Sequence, residues 1–216
     1  MANEERSDVS SEDSVNTFVS KVIAKFDRLD YCCNVAGILI TGASTLFAAA
    51  DWDKLYSVNA RGMWLCQRAE LAQMLKQDAI EQPDSQFKSR GAIANVASMA
   101  GLRAYEALAG YASTKHAVIG FTKCDAYAYG AQQVRVNCVC PGVIATPMLG
   151  IIDPNDTTNI AAMTKEIMMG RQGQPEEIAE GLLWLCSSHA SYVNGIALPI
   201  NGGESSHVRC NAGYTR

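Results

Sequence analysis

Four short apolar runs, residues 29–36, 92–97, 134–139 and 195–200, are spaced along this 216-residue chain with a helix-length stretch between each and the next. That alternation constrains the fold more than any other feature. Strands joined through a helix come out parallel, and a parallel sheet needs helices on both faces. The expectation is one α/β domain with about four strands in a doubly wound parallel sheet. Residues 12–26 place Val15, Phe18, Val19, Val22, Ile23 and Phe26 at helical spacing behind a Ser-Ser-Glu-Asp start. Residues 51–76 and 107–129 read as long helices. Pro175 with Glu176 and Glu177 opens another, since proline suits the first helical position and acids suit its dipole. Residues 78–90 read as a polar loop containing Pro83. Pro199 cannot donate to a ladder, which puts the last strand at a sheet edge.

Composition narrows the function. Net charge is −4 with scattered basic residues, which argues against nucleic-acid binding. The apolar runs fall short of the roughly 18 residues a membrane helix needs. Residues 1–14 are polar and acidic, unlike a secretory signal. The eight cysteines contain no C-x-x-C pair and read as buried free thiols of a cytoplasmic protein. No metal site is expected.

The stretch "YASTK" sets Tyr111 and Lys115 four residues apart, on one face of a helix. A free tyrosine has a pKa of about 10 and is a poor base at neutral pH. Lowering it by roughly 3 units takes about 4 kcal/mol of preferential stabilisation of the phenolate. Lys115 is placed to supply much of that. Ser98 lies just past the strand "AIANVAS", at the carboxyl end of a parallel strand, where functional groups collect. Asn59 sits inside a helix, where a short amide has no local reason to be.

These pieces, in order, resemble the short-chain dehydrogenase/reductase family: Asp8-Val9, "CNVAG", "SVNARG", "ANVASMAG", "YASTK", "RVNCVCPGVIATPM", "GRQGQPEEIAEGLLWLCS" and "VNGIALPINGG". The resemblance covers residues 8–203, with 1–7 as leader and 204–216 as tail. It implies a Rossmann-like fold and hydride transfer between NAD(P)H, NADP slightly favoured, and a carbonyl or alcohol. Tyr111 would be the acid/base and Lys115 would lower its pKa and hold the nicotinamide ribose. Ser98 would steady the substrate oxygen, and Asn59 would anchor a proton-relaying water. Asn34 would line the cofactor cleft, Asp8 and Val9 would meet the adenine, and Ile144 and Thr146 the carboxamide. Arg68 would lie near the cofactor. Residues 147–173, rich in methionine, would cover an apolar small-molecule substrate. Helices 51–76 and 107–129 would pair two copies, or this chain with a homologue.

The family's phosphate turn reads T-G-x-x-x-G-x-G. The one Thr-Gly pair here, Thr41-Gly42 in "GILITGAST", is followed by Ala43-Ser44-Thr45-Leu46-Phe47-Ala48, without the later glycines that let backbone approach a pyrophosphate. It reads as a surface loop. The resemblance therefore implies a sheet truncated at its N-terminus, holding roughly strands four to seven of the family fold and lacking the phosphate loop. Two other readings stay open: a cofactor-free isomerase or dehydratase, and a non-catalytic partner of a complete homologue.

Overall fold

A computed structural model describes residues 6–82, 85–151 and 163–204. Most of the 1–7 leader, Pro83, the centre of the 147–173 segment with Ile152, and the tail with His207 and Cys210 lie outside the described residues.

Helix α1, Glu12–Phe26, starts where the Ser11 hydroxyl accepts the Ser14 N–H and stops where Asp27 turns left-handed at φ 62°. Strand β1, Tyr31–Asn34, follows. The long helix expected at 51–76 is three pieces end to end: α2, Ala49–Leu55; a π-helical turn, Tyr56–Gly62; and α3, Met63–Met74. Within the expected polar loop, β2 (Ile80–Glu81) and β3 (Lys88–Ser89) pair as a small antiparallel ladder. Then come β4 (Gly91–Val96), α4 (Ala109–Tyr129), β5 (Val134–Pro141), α5 (Pro175–Cys186) and β6 (Ala197–Ile200).

The main sheet has the order β1-β4-β5-β6, every pair parallel. Pro199 sits on terminal strand β6, opposite Cys140. One face of the sheet packs Ile93, Val134 and Val136 against Leu71, Met74 and Ala126 of α3 and α4. The other packs Ala92, Ala94 and Val139 against Ile178, Leu182 and Leu185 of α5. Burial on both faces explains why β4 reads as a continuous small and apolar run. Gly91 is required by that packing, because a Cβ there would stand 2.4 Å from the Met74 sulfur.

The 37–45 stretch is loop, as expected of it, but it is not a surface feature throughout. Leu39 is buried with Leu55, Ala100 and Tyr111, and Gly42 N–H donates to the Ala107 carbonyl at 2.8 Å.

Candidate active site

The end of β4 delivers Ser98. Its extended backbone caps the short turn Met99–Gly101, and its Oγ accepts the Ala100 N–H at 3.1 Å. Helix α4 crosses directly above. A Cβ on Gly101 would come within 2.8 Å of the Lys115 carbonyl, so glycine permits that approach. The crossing brings Tyr111 beside Ser98, so that both line the same cavity and the serine hydroxyl favours the phenolate. One helical turn on, the buried Lys115 donates its Nζ to the Val96 carbonyl at 2.9 Å and lies 5.6 Å from the Tyr111 ring centre.

Asn59 arrives from the π-helical turn. The wider i→i+5 winding is a recurrent way to re-aim a side chain at a functional site. Its Oδ1 accepts the Ile38 N–H and its Nδ2 donates to the Ile38 carbonyl, both at 2.8 Å, with a longer contact to Thr114 Oγ1 at 3.4 Å. That clamp is the tertiary reason for an amide inside this helix. A Cβ on Gly37 would stand 3.5 Å from both Asn59 Oδ1 and Lys115 Nζ, so Gly37 is the spacer between them. The structure therefore brings Ser98, Tyr111, Lys115 and Asn59 together.

Ser98, Tyr111 and Lys115 face a cavity of about 510 Å³ whose other walls are mainly apolar, among them Leu39, Met99, Leu108, Met148 and Met163. Ile144 and Thr146 line it too. The other expected cofactor residues do not. Asp8 turns its carboxylate back on Ser10 at the start of α1, and Val9 packs beside Gly62. Arg68 pairs with Glu12 and stacks over Trp64. Asn34 is drawn inward, donating to Glu70 Oε2 at 2.9 Å and Asn95 Oδ1 at 3.0 Å within a buried polar network. These roles are implied by the family resemblance; in the structure Asp8, Arg68 and Asn34 each have a protein partner, and Val9 packs beside Gly62.

The electrostatics also differ from expectation. Burial pushes the Tyr111 phenol up, the Ser98 hydrogen bond pulling the other way, and burial brings Lys115 down to about 8. The reason is geometric. The ammonium is spent on a backbone carbonyl instead of on the phenol oxygen, so removal of both groups from water dominates. At neutral pH the resting site holds a neutral phenol.

Glu204 also borders the cavity and carries no signal in the sequence beyond following a double glycine. It is buried, and its Oε1 accepts from Arg103 Nη2 at 2.9 Å and from the Tyr105 hydroxyl at 2.5 Å. Burial and the Glu204 bond hold the Tyr105 hydroxyl well above its ordinary value. The three residues brace one end of the cavity wall.

A parallel α/β sheet with a serine, tyrosine and lysine converging past a strand end, over an apolar cavity, is the layout of a Rossmann-like enzyme site. Comparison with known proteins agrees. The family model described as "Enoyl-(Acyl carrier protein) reductase" matches residues 5–205. The chain is 35% identical over 204 residues to levodione reductase of Leifsonia aquatica, covering 92% of this chain and 72% of that one. It is 34% identical over 204 residues to the short-chain dehydrogenase fogB of Aspergillus ruber, covering 92% and 74%. The crystal structure of levodione reductase superposes with a TM-score of 0.85 at 34% identity, covering 93% of this chain and 76% of that one. The structure titled "ElxO with NADP Bound" gives 0.82 at 32% identity, covering 93% and 77%. This chain belongs to the short-chain dehydrogenase/reductase family and is an oxidoreductase of that class. The match over residues 5–205 lends no support to an N-terminally truncated core. No helix among the described residues is long and apolar enough to cross a membrane.

Proposed function

We propose that this protein interconverts a carbonyl and a secondary alcohol on an apolar small molecule, using NAD(P)H, with NADP slightly favoured, in the cytoplasm. The observation that carries the reading is that Ser98 and Tyr111 meet at the wall of one apolar cavity, with Lys115 buried beside them. In the reducing direction the substrate oxygen lies between the two hydroxyls. Ser98 donates a hydrogen bond that steadies it, and the neutral Tyr111 gives up its proton as negative charge builds there. Lys115 then has a phenolate within reach and stabilises it. Asn59, fixed by the Ile38 backbone, holds the water that returns a proton to the site. The apolar walls exclude bulk water and strengthen each of these interactions.

The residues present fit a nicotinamide in part. Lys115 and Tyr111 would hold its ribose, and Ile144 and Thr146 its carboxamide. The bound nicotinamide supplies or accepts the hydride. For the pyrophosphate the fit is poor, because the one Thr-Gly pair lies in a loop folded against Ala107 and no glycine follows in residues 43–48. The proposal accordingly includes weak cofactor binding by this chain alone, and pairing through helices 51–76 and 107–129. Trp64 and Tyr127, exposed on those helices, support the pairing.

The test is reduced-nicotinamide consumption with a panel of apolar ketones, beside calorimetric titration of NADPH and NADH. Ketone-dependent consumption that vanishes in Tyr111→Phe supports the reading. The poor pyrophosphate fit favours one second reading, an acid/base enzyme that works without nicotinamide. Tyr111-dependent deuterium uptake into a ketone in heavy water, with no nicotinamide present, would favour it and displace the first.

A further inference from the structure

We propose that Cys33 and Cys186 are an oxidisable pair that closes to a disulfide, tying the first strand of the sheet to the end of α5. Their sulfurs lie 3.9 Å apart although the residues are 153 positions apart in sequence. Cys33 is exposed on the side of β1 that faces α5, and Cys186 is buried beneath it. One residue of the pair is thus open to solution and the other is buried.

The surroundings favour reaction between these two. Arg135 fixes the end of α5, donating to the carbonyls of Leu185 at 2.7 Å, Cys186 at 3.2 Å and Ser187 at 2.9 Å. The Cys186 sulfur also lies 3.8 Å from the Cys32 carbonyl and 4.0 Å from that of Ala92, which aims it at the strand. Strand β1, by contrast, is terminal in the described sheet and bonded on one side only, to β4. It can close the gap to a sulfur–sulfur bond of about 2 Å. Cys32 points to the opposite face of the sheet, packing on Leu71 and Met74. Cys138 and Cys140, a neighbouring pair on β5, are both buried. The Cys33 thiol is also the acidic one, brought down to about 7 by its hydrogen bond from Cys186, so thiolate is abundant at neutral pH.

A hydroperoxide is the oxidant. The Cys33 thiolate attacks one peroxide oxygen, forming an S–O bond and breaking the O–O bond, and the released hydroxide takes up a proton to leave as water. The Cys186 sulfur then attacks the Cys33 sulfenic acid, forming the S–S bond and expelling a second water. Two thiols lose two electrons and two protons in all, and hydrogen peroxide becomes two waters. The effect reaches the active site because Val35, two residues past Cys33, lines its cavity.

Treating the folded chain with hydrogen peroxide, then alkylating and digesting with trypsin without reductant, tests this. The expected product is peptide 29–54 joined to peptide 172–209 with the loss of two hydrogens, reversed by dithiothreitol. Cys33→Ser, an exposed change that leaves the fold intact, should abolish the link, and Cys32→Ser should leave it. The oxidised chain should unfold about 10–20 °C higher, as a staple across a loop of this length predicts. The proposal is overturned if Cys33 goes to sulfinic acid without cross-linking, if the link runs through Cys32, or if it joins two copies of the chain.

Discussion

The Lys115 ammonium donates to the Val96 carbonyl at 2.9 Å, while the ring of Tyr111 on the next turn of the same helix stands 5.6 Å away. The brace and the acid are therefore neighbours that have not yet engaged. The resting site stores a neutral phenol, which is the form needed to protonate a substrate oxygen. Stabilisation by the ammonium is held back until charge appears, as an interaction stronger in the transition state than in the ground state should be.

Tyr111→Phe should lower kcat for ketone reduction by roughly a hundred- to ten-thousand-fold, the usual share of a general acid. KM should move far less, because the ring still packs with Leu39, Leu55 and Ala100. Steady-state kinetics beside a thermal melt checks both halves.

Lys115 gives stability a signature at high pH. Its folded value of about 8 lies below the 10.5 of a free lysine, so the unfolded chain binds the extra proton between them. Stability should rise as pH goes from about 8 to 10.5, by about 3 kcal/mol if the whole shift is realised. Urea titrations across that window should show the slope, and Lys115→Met should remove it.

Glu70 acts in the opposite sense. It is buried between Asn34 and Cys32, and burial raises it from 4.5 to about 7, with the Asn34 hydrogen bond opposing. Here the folded chain binds the extra proton, so stability should fall as pH rises from about 4.5 to 7, again by about 3 kcal/mol at most. Glu70→Gln keeps a partner for Asn34 and should flatten this limb, leaving it more stable than wild type at pH about 8. With Lys115, this predicts a stability trough between about 7 and 8.

Asn59→Ala leaves both the N–H and the carbonyl of Ile38 without their partner. Two broken part-buried hydrogen bonds should cost about 2–4 kcal/mol and lower the melting midpoint by about 5–10 °C. Activity should fall as well, since the loop carrying Gly37 and Ile38 loses its tie to the π-helical turn. Asn59→Asp restores an acceptor for the Ile38 N–H alone and should recover only part of the stability. Calorimetric melts of both variants decide it.

Some of this could be read from the residues in order. The four strands and the helices between them were legible because apolar periodicity and capping are local: Ser11 caps its own helix, and Pro175 opens the next. Tyr111 and Lys115 were legible as a pair because one helical turn fixes their spacing, and Ser98 because a parallel strand ends there. Other assignments come from the resemblance, and the structure gives those side chains protein partners: Asp8 bonds Ser10, Arg68 in the middle of α3 pairs with Glu12, and Asn34 donates to Glu70. Nothing near Asn59 in sequence announces Ile38, and nothing near Glu204 announces Arg103 and Tyr105, about a hundred residues earlier.

By itself, then, the sequence determined the four strands of the main sheet and the helices flanking them, though not the small β2–β3 ladder or the π-helical turn, and which hydroxyl, phenol and ammonium share one end of the sheet. Those outcomes depend on interactions within a few residues of the chain. Only the tertiary structure decided which partner each polar group takes, and therefore that the phenol rests neutral and the ammonium is bonded to backbone. Desolvation and hydrogen-bond choice depend on neighbours that packing brings from far along the chain.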